Sequence, residues 1–130
     1  MARLQINLDS EVPVYRQIVD GIRILLVEGK LAPGSELPPV RRIALDLGIH
    51  FNTVAEAYRI LADEGWLDLR HGRGATVLRR DTPLAANAGR VQEFRHRLRA
   101  LIAEIRSQGA SAAKLSAELR SLADELKHEA

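Results

Sequence analysis

The stretch DLGIHFNTVAEAYRILADEGW, from Asp46 to Trp66, carries an apolar-periodic segment bounded by two glycines. Gly48 indicates a turn before a helix, and Gly65 indicates where that helix ends. The polar pair Asn52–Thr53 stands at the head of the segment. The helix therefore opens with an amide and a hydroxyl group, which suits contact with a polar partner. Its predicted buried face consists of apolar residues at helical spacing, namely Val54, Ala57, Tyr58, Leu61 and Ala62.

Two further helices are predicted upstream of this stretch. Pro13 suits the first turn of a helix because its missing N–H is not needed there, and the apolar period that follows stops at Gly29. Residues 31–39, LAPGSELPP, indicate a rigid turn that leads into a second, short helix ending at Gly48. Residues 4–8 alternate in polarity like a short extended segment. The apolar face of the short helix is Val40, Ile43, Ala44 and Leu47.

Extended runs follow the third helix. Residues 66–70 and 75–80 flank the turn HGRG, from His71 to Gly74, and this pattern predicts a β-hairpin. Three helices, a glycine turn between the second and third, and a hairpin after the third outline a winged helix-turn-helix domain. We assign this domain to residues 1–80 and a linker without pattern to 81–90.

The tail, residues 91–130, is predicted to form a two-helix dimerisation and regulatory hairpin, with Ser111 as the N-cap of its second helix. The fold class is therefore mainly α with a small β-hairpin. We expect the apolar stripes of the tail to pack against each other and against a second copy, giving a two-fold homodimer. The stripe residues are Val91, Phe94, Leu98, Leu101, Ile105, Leu115, Leu119, Leu122 and Leu126.

A winged helix-turn-helix of this kind suits double-stranded DNA. The N-terminus of the third helix can enter the major groove, where Asn52 can pair with an adenine edge and Thr53 with a phosphate or a thymine methyl. Arg41, at the start of the second helix, can neutralise a backbone phosphate. The symmetry of a dimer predicts a palindromic operator. The full predicted DNA-binding set is Arg41, Arg42, His50, Phe51, Asn52, Thr53, Arg59, His71, Gly72 and Arg73.

Six short motifs in order resemble the DNA-binding domain of GntR-family bacterial transcriptional regulators. They are P-x-Y-x-Q-I at 13–18, G-x-L-x-P-G at 29–34, L-P-x-x-R at 37–41, N-T-V-x-x-A-Y at 52–58, E-G-W at 64–66 and H-G-x-G at 71–74. The resemblance implies that Arg41, Asn52, Thr53, His71 and Gly72 occupy DNA-contacting positions. The short helical tail resembles the YtrA-like subfamily, which implies a repressor of its own operon or of a transporter operon, in the bacterial cytoplasm and at the nucleoid when DNA-bound.

The chain departs from the family pattern at three positions. Pro39 stands where many relatives carry Ser. His50 stands where many relatives carry Ser or Asn, and His is a weak N-cap. A helix that started at Asn52 instead would turn the Asn52 side chain towards its own backbone and away from the bases. Phe51 stands where many relatives carry Arg, so recognition of guanine by that Arg does not transfer, and Phe51 offers apolar contact only.

Composition leaves few other classes of function. Of the 130 residues, 46% are hydrophobic and none is Cys, so a core is possible while a disulfide framework or a thiolate metal site is not. Residues 1–12 lack an apolar signal-peptide core, and no membrane span is predicted. The four His form no zinc spacing, no metal site or cofactor is predicted, and no catalytic motif indicates an enzyme.

Two alternatives to a sequence-specific repressor stay open at this point. One is a winged-helix protein-interaction module, and the other is a non-specific architectural DNA binder, which the net charge of only +2 disfavours. A small-molecule effector held between tail and head is a further hypothesis, motivated by the linker at 81–90.

Overall fold

A computed structural model describes residues 4–69, 74–80 and 87–129 of the chain. The chain divides into two compact units, Met1–Asp81 and Thr82–Ala130. No helix within the described ranges is long and apolar enough to cross a membrane.

Three helices form the framework of the N-terminal unit. They are α1 (Val14–Val27), α2 (Val40–Leu47) and α3 (Phe51–Asp63), and both α1 and α2 pack against α3. Gly48 ends α2 in the left-handed conformation, with φ of 70°, a geometry that a residue without a side chain adopts at little cost. The chain can therefore turn sharply from α2 into α3, as the sequence predicts for a helix-turn-helix.

The core of this unit is aliphatic apart from one tyrosine. Tyr58, on α3, is almost fully buried, as are the side chains of α1 that face it. Leu4 is buried, Ile6 is half-buried and Leu8 is exposed, so the N-terminal segment contributes only its beginning to the core. The residues buried most deeply besides Tyr58 are Ile18, Val19, Ile22, Val54 and Leu61.

The wing is a three-stranded antiparallel sheet in the order β1–β3–β2, rather than the two-stranded hairpin that the sequence predicts. Its strands are β1 (Glu36–Leu37), β2 (Leu67–Asp68) and β3 (Ala75–Val77). Leu37 pairs with Ala75, and Leu67 pairs with Val77, so β3 lies between the other two strands. The segment 31–39, interpreted from sequence as a turn, therefore also supplies a strand.

The second unit consists of two helices, α4 (Asn87–Ser107) and α5 (Ala112–Lys127). The Ser111 hydroxyl accepts a hydrogen bond of 3.1 Å from the Lys114 N–H, which confirms the predicted N-cap. α4 begins at Asn87, inside the segment interpreted as linker.

The predicted apolar stripes of the two tail helices are at most half-buried within this unit. None of the described side chains of α4 and α5 is buried, so the packing of the two stripes against each other stays a prediction. An amphipathic pattern specifies that a face needs a partner, but not which partner covers it. Of the predicted stripe, the half-buried members are Leu98, Ile105, Leu115 and Leu119, and the exposed members are Val91, Phe94, Leu101, Leu122 and Leu126.

Candidate nucleic-acid interface

The N-terminus of α3 is capped by His50. The His50 backbone is extended, with φ of −68° and ψ of 139°, and its ring Nδ1 accepts a hydrogen bond of 3.1 Å from the Asn52 N–H. Because Nδ1 must carry a lone pair to accept this bond, the proton of the neutral ring is on Nε2. The helix starts at Phe51, and the alternative start at Asn52 is wrong.

This cap determines what Asn52 is able to do. Asn52 follows Phe51 within the first turn of α3, and its side chain is exposed. His50 does the capping, so the Asn52 amide is not spent on capping its own helix. Thr53, the next residue, is half-buried, and its N–H bonds the His50 carbonyl at 3.1 Å. The arrangement leaves Asn52 as the polar side chain that projects from the tip of α3.

Phe51 brings the start of α2 to the same place. Its ring stacks on the His50 ring, with centroids 5.0 Å apart and an interplanar angle of 22°. The Arg41 guanidinium carbon lies 5.7 Å from the Phe51 centroid, within the range of a cation–π interaction. Phe51 thus contacts both the capping residue of α3 and an exposed cation on α2. No sequence pattern indicates this double contact.

A shallow depression joins these side chains to the wing. It has a volume of about 420 Å³ and brings the Arg41 and Arg59 side chains to one surface. Arg59 is exposed and pairs with Glu56 at 2.8 Å, one turn away on α3. Arg42 is exposed beside Arg41 on α2. The lining residues are Pro39, Val40, Arg41, Phe51, Ala55, Tyr58, Arg59, Leu69 and Gly74.

Tyr58 fixes the relative position of α3 and the segment before α2. Its hydroxyl donates a hydrogen bond of 2.7 Å to the Pro38 carbonyl, while its ring lies in the core. Burial raises the pKa of the Tyr58 phenol well above its usual range because the charged form would lose its hydration. The predicted role of Tyr58 as a core anchor is therefore confirmed, and the hydrogen bond adds a polar contact that no sequence pattern indicates.

Gly74 allows the base of the wing to lie close to the segment that leads from β1 into α2. Its φ is +140°, and a Cβ at this position would lie 2.8 Å from the Leu37 carbonyl oxygen. Only glycine, which has no side chain, allows the backbone at position 74 to approach the Leu37 carbonyl this closely. The predicted wing-tip residues His71, Gly72 and Arg73 lie outside the described residues.

Arg80 contacts Trp66 and the end of α3. Its guanidinium carbon lies 4.7 Å from the Trp66 ring centroid, and its Nε donates a hydrogen bond of 2.9 Å to the Glu64 carbonyl. Glu64 is the C-cap of α3, so Arg80 satisfies a carbonyl at the negative end of the helix dipole. Trp66 itself is half-buried against the core, as expected for an anchor.

Seven of the predicted DNA-binding residues lie within the described ranges, at the starts of α2 and α3 and, for Arg59, about two turns further along α3. An exposed amide next to guanidinium groups is a combination that can bond a base edge while neutralising phosphates. No group of three or more His, Asp or Glu in the described ranges is placed to hold a metal ion. The seven are Arg41, Arg42, His50, Phe51, Asn52, Thr53 and Arg59.

Comparison with known proteins supports this interpretation. Residues 14–77 match the family model of the bacterial regulatory proteins, gntR family. The HTH-type transcriptional repressor YtrA of Bacillus subtilis (strain 168) is 29% identical, over 95% of each chain.

Two solved structures share the fold over almost the whole chain. The first, a transcriptional antiterminator from Listeria monocytogenes EGD-e, has a TM-score of 0.67 and is 28% identical, covering 97% of this chain and 90% of that one. The second, YtrA from Sulfolobus acidocaldarius, described as a GntR-family transcription factor, has a TM-score of 0.55 and is 30% identical, covering 95% of this chain and 98% of that one.

Proposed function

The chain belongs to the GntR family of bacterial regulatory proteins and is YtrA-like, and from this premise we propose that it is a dimeric repressor of a palindromic operator. As a member of this family it is a DNA-binding transcriptional regulator and not an enzyme. Repression is proposed because the Bacillus subtilis relative is named a repressor. We propose its own operon or a transporter operon as the target.

The observation that carries the proposal is the free tip of α3. Asn52 is exposed there because His50 makes the cap, and Arg41 lies alongside over Phe51. In helix-turn-helix proteins the residues at this end of the recognition helix contact base edges. An Asn that pairs with an adenine edge discriminates between bases by about 1–3 kcal/mol. We propose that Asn52 reads a base and that Arg41 and Arg59 contact phosphates.

We propose that the uncovered stripe of α4 and α5 is the dimer interface. Five large apolar side chains on these helices are 53–67% exposed, and none of the described side chains of either helix is buried. Removing apolar surface from water stabilises an association by about 25 cal/mol per Å² before the entropic costs of binding. A second copy supplies the same stripe by symmetry, which places two copies of α3 on one duplex at half-sites about one turn apart.

Selection from random duplex DNA with the purified full chain tests the proposal. A dimeric repressor enriches a palindrome and binds it with an affinity that falls steeply with salt, because phosphate contacts release counterions. An architectural binder would show the salt dependence without enrichment. A protein-interaction module would show neither. Either of those two results overturns the proposed function.

Two variants assign the contacts. Arg41→Ala should weaken binding to all sequences and lower the salt slope by about 1, because one phosphate contact is lost. Arg16→Ala is the matched control, since Arg16 is an exposed Arg on α1 that pairs with Asp20. Asn52→Ala should relax selection at one position of each half-site. An unchanged preference would show that Asn52 does not read a base.

The oligomeric state is tested with a variant on the stripe. Leu122→Glu places a charge on an exposed apolar position, so the single chain keeps its fold while the dimer is lost. Ser121→Glu, an exposed neighbour on α5, is the control and should remain dimeric. Sedimentation equilibrium across micromolar concentrations gives the mass. A wild-type chain that sediments as a single copy would contradict the dimer.

A further inference from the structure

The start of α3 carries an apolar depression that the polar contacts proposed above do not use. Leu45, one helical turn after Arg41 on α2, is 82% exposed, while Ile43 and Ala44 face the core. Phe51, which is 45% exposed, lines the same depression as Leu45. A single exposed leucine is ordinary on a protein surface, but here two large apolar groups adjoin.

The shape and rim of this depression indicate what it fits. Its volume is about 410 Å³, it is open to solvent, and its surface is mainly apolar. The only charged group on its rim is Arg41, whose guanidinium stays near Phe51. The side chain of Asn52 follows at the same end of α3. The lining residues are Arg41, Ala44, Leu45, Gly48, Ile49 and Phe51.

The chemistry of the major groove leaves one base that suits such a surface. Guanine, adenine and cytosine present hydrogen-bonding atoms there, and only thymine adds a carbon substituent, its C5-methyl group. A donor or acceptor pressed against Leu45 and Phe51 would lose water without gaining a partner, which is unfavourable. A methyl group in the same place is removed from water, and for an apolar group this removal is favourable. Arg41 at the rim suits the phosphate of the same strand.

We infer that Leu45 and Phe51 form a thymine-methyl site, and that these two residues determine specificity at one base pair in each half-site of the operator. This inference rests on the proposed function, because it requires α3 to face the bases of a specific operator. The protein therefore selects a T·A pair next to the base pair that Asn52 reads.

Deoxyuridine substitution removes the methyl group and nothing else, so it tests the inference directly. In the operator obtained by selection, each thymine is replaced in turn by deoxyuridine, and affinity for the full-length protein is measured. Burial of one methyl group typically changes a binding constant by about threefold to fivefold. We expect that loss at one thymine of each half-site, and about tenfold or more when both half-sites are replaced together.

Protein variants then locate the methyl contact. In Leu45→Ala and in Phe51→Ala the penalty for deoxyuridine at that position should shrink towards none, whereas Leu8→Ala should keep it. Leu8 is the matched control because it is a highly exposed leucine of the same unit outside the depression. Leu45 lies outside the core, so its truncation leaves the fold intact, and Phe51→Leu, which keeps an apolar group, should retain part of the penalty.

The outcomes separate this inference from the proposed function. A selected palindrome with no thymine that responds to deoxyuridine refutes the methyl site and leaves the repressor in place. A response that persists unchanged in both variants refutes the assignment to Leu45 and Phe51. A change of oligomeric mass in Leu45→Ala would assign the depression to a second copy of the chain instead. If selection enriches no sequence, the proposed function fails and this inference fails with it.

Discussion

The Tyr58 hydroxyl and the Pro38 carbonyl, 2.7 Å apart, connect the middle of the recognition helix to the segment that leads into α2. The bond joins residues twenty positions apart in the chain. Because the tyrosine ring is buried and its pKa is raised, the hydroxyl stays protonated and donates at any ordinary pH. The two helices that form the proposed DNA-binding surface, α2 and α3, are thus connected through a bond at the edge of the core.

Removal of that hydroxyl tests how much the bond contributes. In Tyr58→Phe the Pro38 carbonyl loses its donor while the ring volume is kept, so the free energy of unfolding should fall by about 1–3 kcal/mol. Urea unfolding followed by circular dichroism measures it. Tyr15→Phe, at an exposed position of α1, should change stability by less than about 0.5 kcal/mol. Equal effects of the two variants would show that the bond adds nothing.

The raised pKa of Tyr58 also predicts a loss of stability in alkali. The folded state holds the phenol proton more tightly than the unfolded chain, in which a tyrosine has a pKa of about 10. The contribution is therefore complete below about pH 10 and declines as the pH rises further. Unfolding free energies of wild type and Tyr58→Phe, compared from pH 8 to 11, isolate this contribution. The difference between them should narrow above about pH 10 and would stay constant if burial did not perturb the group.

Loss of the His50 cap should loosen the tip of α3. His50→Ala removes the acceptor for the Asn52 N–H, and such a loss typically costs about 1 kcal/mol. His50→Asn supplies a side chain that caps well and should restore stability. Amide hydrogen exchange at Asn52 and Thr53 reports the tip directly. Protection that is unaffected in His50→Ala would mean that the imidazole does not hold the helix start.

Two glycine variants separate a steric clash from backbone strain. Gly34 and Gly74 both have positive φ, of 90° and 140°, but a Cβ on Gly34 meets no atom within 4 Å, whereas one on Gly74 meets the Leu37 oxygen at 2.8 Å. Gly34→Ala should cost about 1–2 kcal/mol from conformation alone. Gly74→Ala should cost clearly more, because β1 and β3 must separate. Similar melting temperatures for the two variants would contradict the close approach at Gly74.

Arg79 and Arg80, adjacent in sequence, should behave differently. Arg80→Ala removes the stack on Trp66 and the bond to the Glu64 carbonyl, so stability should fall by about 1 kcal/mol while the salt dependence of DNA binding stays the same. Arg79→Ala should leave stability within about 0.5 kcal/mol. Thermal unfolding and salt titration of both variants provide the comparison. A reduced salt slope in Arg80→Ala would place this residue on the DNA instead.

Periodicity was sufficient to predict the helices of the N-terminal unit. Most residues that the apolar spacing singled out are buried, with Val40, Leu47 and Ala62 half-buried. Gly48 ends α2 as expected, because the conformation of a glycine is a local property. The same holds for Ser111, whose cap geometry is set within three residues. Local rules of this kind carry over from sequence to structure with few changes.

Features that depend on a distant partner could not be predicted in this way. Strand β1 has only two residues, Glu36 and Leu37, and it is defined by its pairing with β3 rather than by any alternation of its own. His50 is a weak cap in general, and it serves here because its ring is held against Phe51. The exposure of Leu45 likewise follows from which face of α2 meets α3. The apolar stripe of the tail likewise indicates that a face needs a partner without indicating which partner covers it.

The central position of β3 has a consequence for how small the DNA-binding part of this protein can be made. A fragment that stops before Ala75 lacks β3, the strand with which β1 and β2 both pair, so the pairing groups of both strands lose their partner. A fragment that includes both β3 and Arg80 also retains the hydrogen bond from Arg80 to the Glu64 carbonyl at the end of α3. We therefore expect the shortest fragment that folds like the N-terminal unit to extend through residue 80, well past α3.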